Sequence, residues 1–370
     1  MDYNDGKKKS YGSPGENMAK SNSKSNYYLE RDRKNLQRIY ALLEELPPFV
    51  EDYFRGIEQR TSVETRLKYA YDLRIFFDYL VKNRFRKKEV LDLTLEDLES
   101  VTDTDIQIFL SRLTFYTFNG KELHCNENAK ARKLSAVRSM FKYFFNHNMI
   151  DVNNSAKVET PKLHEKEIIR LEADEVSEMI GEAESGDCLS AHAKAYHERT
   201  QVRDTAILTL FLGTGIRISE LVGLNNDSFD FSNNSFVVQR KGGNKSILYF
   251  SDEVAIALKR YMEQKLEDPK VPQGENALFL SMQYRRMTVR AIELLVKKYA
   301  KIVTPLKKIT PHKLRSTYGT MLYQQTGDIY IVANVLGHRD VNTTQKHYAA
   351  ISEDRRKSVA DKVRLNMDDK

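Results

Sequence analysis

The chain has 370 residues, enough for two folded domains and additional segments. It carries 59 lysines and arginines against 52 aspartates and glutamates, a net charge of +7, and this excess favours a polyanionic partner without specifying one. Two cysteines, the lack of a membrane-length apolar run and a polar amino terminus disfavour a disulfide scaffold, a membrane protein and an exported protein, so we expect a cytoplasmic location.

The amino-terminal part contains a polar segment and then a helical one. Residues 1–26 are rich in lysine, serine and asparagine, which predicts a disordered basic tail, with Met18 as a second candidate start. Residues 27–47 have leucine and isoleucine at helical spacing and end at Pro47-Pro48, which predicts an N-terminal helix.

Residues 48–152 have the pattern of a helical domain. A long apolar stripe begins near Ser62, a second one covers residues 134–144, and residues 103–116 are a further candidate helix. We find no alternating strand pattern and therefore predict an all-helical bundle. Its many lysines and arginines lie off the apolar stripes, where they are either a solvated surface or a contact surface for a polyanion.

The sequence of residues 153–370 predicts a linker and a second domain that is mainly helical. Residues 153–167 contain a proline and several charges without apolar periodicity, and we interpret them as a linker to a domain at 168–370. Three short β-like runs separated by turn residues predict an antiparallel β-meander. The runs are 228–231, 235–239 and 246–250, and the predicted helices are 173–184, 202–212, 252–265, 288–301, 311–325, 329–336 and 353–363.

Arginine and histidine residues beside predicted helix ends are candidate catalytic or anion-binding residues. Arg217 follows the turn Gly213-Thr214-Gly215, and His312 and Arg315 follow Thr310-Pro311, a capped helix start that favours anions. Each of these residues alone is commonly structural, for example in a surface ion pair.

Three further residues complete the set. Lys241 lies in a predicted β-turn, His338 follows Leu336-Gly337, and Tyr348 ends a short polar segment. Together the six residues have a specific chemistry, because cations can hold a phosphodiester while a phenol attacks it.

The ordered motifs resemble those of the tyrosine recombinases, the phage-integrase and Xer family. The series is TGIRISEL, RKGGNK, HKLRST and LGHRDVNTTQKHY, and ARKLSAVRSMFKYF resembles part of the family's core-binding domain. The resemblance covers about residues 50–365. It implies a mainly α, two-domain fold in which a helical SAM-like core-binding domain precedes an α-rich catalytic domain with a small antiparallel meander.

The resemblance also implies a role for each residue. Arg217 and Arg315 would bind the scissile phosphate, and Lys241 would protonate the leaving 5′ oxygen. His312 would assist proton transfer, His338 would hydrogen-bond the phosphate, and Tyr348 would form a 3′-phosphotyrosine. Neither a metal nor another cofactor would be needed.

Two spacings depart from the family's usual pattern. Tyr348 follows His338 by ten residues rather than nine, which puts His347 at the usual tyrosine position. The turn after Lys241 is one residue longer than usual, which leaves Lys245 as a rival. We retain Tyr348, since imidazole does not fill that role in the family, and Lys241.

The resemblance implies a specific double-stranded DNA site as the partner. We expect Arg66, Arg74, Lys130 and Lys133 to contact the DNA backbone. Residues 352–365 would be an exchange helix that docks into a neighbouring protomer of a tetramer on two synapsed duplexes, with or without a second recombinase. Biological roles consistent with this are chromosome or plasmid dimer resolution and mobile-element integration.

Alternative functions belong to other classes of protein. A non-catalytic DNA-binding protein would have a damaged phosphate-binding set, whereas all six positions here carry competent residues. A type IB topoisomerase would share the nucleophile chemistry but would relax supercoils without synapsis. Cys188, His192 and His197 have spacings that a zinc ion accepts, but a fourth ligand is not evident and we do not expect a metal site.

Overall fold

The computed structural model describes residues 26–162, 169–240 and 243–337. Contacts divide the chain into two compact units, unit 1 at residues 1–165 and unit 2 at residues 166–370. None of the helices within the described ranges is long and apolar enough to cross a membrane.

Unit 1 is built from helices and one short hairpin. Its elements are α1 (Asn26–Leu43), α2 (Val50–Gly56), α3 (Val63–Asn83), α4 (Leu95–Ser100), α5 (Asp103–Arg112), β1 (Tyr116–Phe118), β2 (Lys121–Leu123) and α6 (Glu127–Asn146). Short 3-10 turns at Val90–Asp92 and Asn154–Lys157 complete it.

The core of unit 1 lies between α1, α3, α5 and α6. The apolar stripes predicted for α3 and α6 are buried, and α3 begins next to Ser62 as predicted. The Ser62 side chain caps the helix by accepting a hydrogen bond from the Thr65 N–H. Ile39 and Leu42, in the segment predicted as a separate N-terminal helix, pack into this same core.

One sequence prediction for unit 1 is wrong. Strands β1 and β2 form an antiparallel hairpin with Phe118 opposite Lys121, where we expected helices only. The turn residues Asn119 and Gly120 both have positive φ, at 49° and 70°, as a tight primed turn requires. Each strand has three residues, which is too few for a recognisable alternation.

Unit 2 surrounds a central helix with other helices and a small sheet. Its elements are α7 (Ala173–Ser185), α8 (Ala191–Thr214), α9 (Ile218–Val222), β3 (Phe229–Asp230), β4 (Ser235–Gln239), β5 (Lys245–Tyr249), α10 (Asp252–Glu267), α11 (Val289–Val303), α12 (Pro311–Thr326) and α13 (Ile329–Leu336). The 3-10 turn Asn226–Ser228 precedes β3.

Helix α8 occupies the middle of unit 2 and packs against α7, α10 and α12. Every residue from Asp204 to Leu212 is buried, because neighbours cover this helix on all sides. It begins at Ala191, eleven residues before the predicted start at 202, since its first turns are polar and carry no apolar period.

The predicted antiparallel meander is present, in the order β3-β4-β5. Val237 lies opposite Ile247 and Gln239 opposite Lys245, and the turn between β4 and β5 contains residues 240–244. Phe236, Val238 and Leu248 on the inner face are buried. The sheet therefore holds one end of this turn against the body of unit 2.

Candidate active site

Arg217 is placed by the turn between α8 and α9. Helix α8 ends at Gly215, whose φ of 60° suits glycine, and Arg217 is the N-cap residue of α9. A Cβ atom on Gly215 would lie 2.4 Å from the Tyr318 ring and 2.9 Å from Leu336. Only glycine therefore lets the chain turn here while α12 and α13 pack this closely.

The carboxylate of Glu220 fixes the orientation of Arg217. It accepts a hydrogen bond from the Arg217 backbone N–H at 3.0 Å and from Nη1 of the same residue at 2.8 Å. Glu220 is only 2% exposed, so water competes little for these bonds. Our sequence reasoning did not select Glu220, although its position three residues after Arg217 on a helix start was an available signal.

Arg315 enters the same site from α12. This arginine is 5% exposed, and its Nη1 donates to the Gly215 carbonyl at 2.5 Å while Nη2 donates to the Leu336 carbonyl. Thr310 and Pro311 begin α12 as predicted, although the Thr310 side chain makes no capping bond. His312 is exposed in the first turn of α12, three residues before Arg315.

Arginine side chains from separate segments donate hydrogen bonds to the carbonyl groups at the carboxyl end of α13. The last carbonyl groups of a helix lack intrahelical donors and carry partial negative charge. The Gly337 carbonyl accepts from Arg217 Nη2 at 3.0 Å, and the Leu336 carbonyl accepts from both Arg315 and Arg240. Two predicted phosphate ligands from separate motifs are thus brought to one place.

Arg240 is a third arginine of this cluster and was missed by sequence reasoning. Its Nη1 lies 3.3 Å from Oε1 of Glu220 and 3.2 Å from the Leu336 carbonyl, and its Nη2 lies 3.2 Å from the Val335 carbonyl. Burial lowers the pKa of Arg240, and the carboxylate of Glu220 opposes that shift. A guanidinium remains protonated despite such a shift.

The electrostatic balance of the cluster favours an anion. Arg217 and Arg240 share the carboxylate of Glu220, and all three guanidinium groups also donate to neutral backbone carbonyls. A phosphate would replace carbonyl acceptors with a charged one, which makes stronger hydrogen bonds. The arrangement can therefore bind and neutralise a phosphodiester.

The other predicted catalytic residues, Lys241, His338 and Tyr348, lie outside the described residues, as does the predicted exchange helix 352–365. The chain neighbours of two of them are described. Arg240 directly precedes Lys241 and Gly337 directly precedes His338, and the Arg240 guanidinium contacts the end of α13. The residue before Lys241 therefore contacts the helix end that precedes His338 in the chain.

The four predicted DNA contacts of unit 1 have intramolecular partners. Arg66 and Lys133 are buried, which corrects our expectation that the basic residues lie off the apolar faces. The partners are Glu58 for Arg66, Glu45 and the Phe118 ring for Arg74, Thr114 and Glu127 for Lys130, and Asp72 for Lys133. Whether these residues contact DNA stays a prediction.

The three residues weighed as zinc ligands have different environments. Cys188 is exposed, His192 packs edge-on against Tyr196, and His197 is buried with Nδ1 3.3 Å from the Tyr299 hydroxyl. Within the described ranges, no group of three histidine, cysteine or carboxylate side chains is arranged to hold a metal ion.

Comparisons with known proteins place the chain in a family. The model of the phage integrase family matches residues 170–355. The tyrosine recombinase XerC of Caldanaerobacter subterraneus subsp. tengcongensis is 32% identical over 327 residues, 85% of each chain. The tyrosine recombinase XerS of Lactococcus lactis subsp. cremoris is 28% identical over 357 residues, 88% of this chain and 98% of that one.

Solved structures share the fold. The XerH site-specific recombinase in a post-cleavage complex with a palindromic difH substrate has a TM-score of 0.64 at 18% identity and covers 88% of both chains. The Tn1549 transposon integrase with transposon right end DNA has a TM-score of 0.57 at 20% identity, covering 82% of this chain and 97% of that one. The predicted fold class, mainly helical with a small antiparallel meander, is confirmed. The chain belongs to the phage integrase family of tyrosine recombinases and is a site-specific DNA recombinase.

Proposed function

We propose that this protein cleaves and rejoins double-stranded DNA at a specific site through a tyrosine-linked intermediate. Arg217 and Arg315 bind the non-bridging oxygens of the scissile phosphate and stabilise the charge of the transition state. His312 assists proton transfer, and His338 hydrogen-bonds the phosphate.

The proposed reaction conserves the number of phosphodiester bonds. The Tyr348 hydroxyl oxygen forms a bond to phosphorus, and the bond from phosphorus to the 5′ oxygen breaks. Lys241 donates a proton to that 5′ oxygen, while the proton of the Tyr348 hydroxyl passes to a base such as His312. Attack of a 5′ hydroxyl on the phosphotyrosine reverses the process, so strand exchange needs no ATP.

The convergence of Arg217 and Arg315 at the end of α13 is the observation that supports this proposal. Their guanidinium groups donate to adjacent carbonyls, those of Gly337 and Leu336. These two arginines are ninety-eight positions apart in the chain and come from different motifs. A cluster of cations that is held together mainly by neutral acceptors is suited to a phosphate that arrives with the substrate.

Covalent capture tests the reaction and finds its DNA site. The protein is incubated with sheared genomic DNA of its host, the reaction is stopped with SDS, and the DNA that remains attached to protein is sequenced. Nicked duplexes carrying the recovered site then trap the intermediate. We expect an SDS-resistant adduct whose peptide maps to Tyr348 and which Tyr348→Phe does not form.

Tyr40→Phe is the matched control, because Tyr40 is an exposed tyrosine on α1 and should form the adduct normally. An adduct that survives in Tyr348→Phe would place the nucleophile elsewhere. Specific binding without any adduct would favour the non-catalytic DNA-binding protein. Relaxation of plasmids that lack the recovered site would favour the topoisomerase.

We further propose that the active assembly is a tetramer on two synapsed duplexes, and that its substrate is a dimeric chromosome or plasmid. The similarity to tyrosine recombinases of the Xer group over most of the chain supports this choice over mobile-element integration. Truncation after Ser352 should abolish cooperative assembly on paired sites and preserve binding of one protomer. Retained cooperativity would exclude residues 353–370 as the connection between protomers.

A further inference from the structure

Arg240 connects three segments that carry separate motifs of the proposed site. Its guanidinium contacts Glu220 on α9 and the Leu336 and Val335 carbonyls at the end of α13. The side chain belongs to the residue that follows β4. One planar group therefore joins the β4–β5 turn to the elements that position Arg217 and precede His338.

The backbone of Arg240 also closes the β4–β5 turn. Its N–H donates to the Asn244 carbonyl at 2.7 Å, and its carbonyl accepts from the Gly243 N–H at 3.1 Å. Lys241 is the next residue in the chain. The same residue thus fixes the base of the turn through its backbone and attaches that base to α13 through its side chain.

The chemistry of these contacts requires an arginine. A guanidinium offers five N–H donors in a planar fork, whereas lysine offers a single charged centre on a flexible chain. Here Nη1 of Arg240 donates to Glu220 on α9, and Nη2 donates to the Val335 carbonyl on α13. Because the group is largely buried, displacement of the fork would leave carbonyl oxygens without these donors, which is unfavourable.

The carboxyl end of α13 allows the guanidinium to approach closely. Gly337 has a φ of 61°, and a Cβ atom at this position would lie 2.8 Å from Cζ of Arg240. Two independent features, a glycine at the helix end and an arginine at the turn, thus serve the same contact.

We propose that Arg240 is a positioning residue for the general acid Lys241. By anchoring the residue that directly precedes Lys241 to α9 and α13, it restricts the position from which the general acid acts. This inference rests on the proposed function, specifically on protonation of the 5′ oxygen by Lys241.

A sulfur-substituted substrate isolates this role. When sulfur replaces the bridging 5′ oxygen, the leaving group is a thiolate, whose conjugate acid has a pKa near 8.5, and a general acid is no longer needed. The rate of adduct formation is measured for Arg240→Lys and Arg240→Met on the oxygen and sulfur substrates of the recovered site.

We expect both variants to be slowed about 100-fold on the oxygen substrate and no more than about threefold on the sulfur substrate. For each variant, the rates on the oxygen and sulfur substrates are measured with one protein preparation. A fraction of unfolded protein lowers both rates equally and cancels from their ratio. Equal slowing on both substrates would overturn the inference and assign Arg240 to phosphate binding or folding. Unchanged cleavage of the oxygen substrate would also overturn it.

Two control variants complete the design. Arg286→Met removes another arginine that donates to backbone carbonyls of unit 2, those of Val222 and Leu224, and should show no preference for sulfur. Lys241→Ala should be rescued by sulfur. If Lys241→Ala is not rescued, Lys241 is not the general acid and the positioning role fails with it, whereas the absence of any adduct with the wild-type protein overturns the proposed function. Rescue of Lys241→Ala without rescue of the Arg240 variants refutes only the positioning role.

Discussion

Two clusters of cations, one in each unit, have different sets of acceptors. In unit 1, Lys133 and Arg132 both donate to the buried carboxylate of Asp72, at 2.8 and 2.6 Å. In unit 2, Arg217 and Arg240 share Glu220, and Arg315 donates to backbone carbonyls. The first set has one carboxylate for two cations, and the second has one carboxylate for three cations, which also donate to backbone carbonyls. Among these groups the second set has the larger excess of positive charge, which a phosphate can neutralise.

This difference separates cations that stabilise the fold from cations that are held ready for a ligand. Lys133 is buried together with its carboxylate partner, and transfer of its charge to another anion would leave Asp72 buried without that partner, which is costly. A carbonyl at a helix end binds a guanidinium more weakly and can be replaced by phosphate oxygens. Positive charge in the sequence does not by itself distinguish these two arrangements.

The largest expected effect is on unit 1. Asp72→Asn removes the carboxylate that neutralises Lys133, leaves a buried ammonium without a counter-ion, and should lower the free energy of unfolding by about 3 to 5 kcal/mol. Hydrogen exchange of α3 and α6 amides in the full chain measures this change. Glu51→Gln, which breaks an exposed ion pair with Arg55, should cost about 0.5 kcal/mol or less. Similar losses for both variants would contradict the comparison.

The second effect is on catalysis. Arg315→Lys keeps the charge but replaces the planar fork, whose two nitrogens donate separately to Gly215 and Leu336, by one ammonium nitrogen. Phosphate stabilisation should therefore weaken, and adduct formation should slow by about 10²- to 10³-fold. Single-turnover cleavage of a trapped substrate measures the rate. Arg290→Lys alters an exposed arginine on α11 and serves as the control with a normal rate. A normal rate in Arg315→Lys would remove Arg315 from the site.

The buried cation Lys265 should also make stability depend on pH. Lys265 donates to Asn226 Oδ1 and to the Ala277 and Leu278 carbonyls, and burial lowers its pKa to about 8. Between pH 8 and the ordinary lysine pKa the folded state has lost a proton that the unfolded state still binds. The free energy of unfolding should therefore rise with pH in this window.

From pH 8 to 9.5 the rise attributable to Lys265 should be about 1 to 2 kcal/mol, measured by hydrogen exchange of α10 amides after correction for the intrinsic exchange rate. Lys265→Met should lose this slope, whatever its absolute stability. Lys297→Met, which changes an exposed lysine on α11, should retain the slope. A Lys265→Met variant with the wild-type slope would refute the assignment.

A smaller effect is expected at the end of α13. Gly337→Ala forces alanine into a left-handed conformation, which costs about 1 kcal/mol, and also displaces the Arg240 guanidinium. We expect about a tenfold slower cleavage as well, since the displaced contact belongs to the site. Gly274→Ala has the same type of backbone strain with open space around the new Cβ, and should lose stability without slower cleavage.

The smallest expected effect concerns DNA binding by unit 1. Lys130 donates to the Thr114 hydroxyl and lies 3.9 Å from Glu127, a weaker arrangement than that of Lys133 with Asp72. Lys130→Gln should therefore reduce the slope of log affinity against log salt by about 1, the signature of one lost phosphate contact. Titrations of the recovered site at several salt concentrations measure this slope. An unchanged slope would remove Lys130 from the DNA surface.

Sequence by itself determined the features that depend on neighbouring residues. Local spacing and turn chemistry predict the apolar periods of α3 and α6, the start of α3 near Ser62 and the strand β4, and the structure has them where they were expected. The positions of Arg217 and Arg315 beside helix ends were also evident. The hairpin β1–β2 was missed, although Asn119-Gly120 was a local signal for it.

Only the tertiary structure decided which charges pair and which remain available. Asp72 meets Lys133 across 61 positions, and Arg240 reaches the Leu336 carbonyl across 96 positions. No periodicity specifies such contacts, because they depend on how whole helices pack. The physical reason is burial: the same basic side chain is a solvated surface group, half of an ion pair or a phosphate ligand according to which oxygen atoms the fold brings to it.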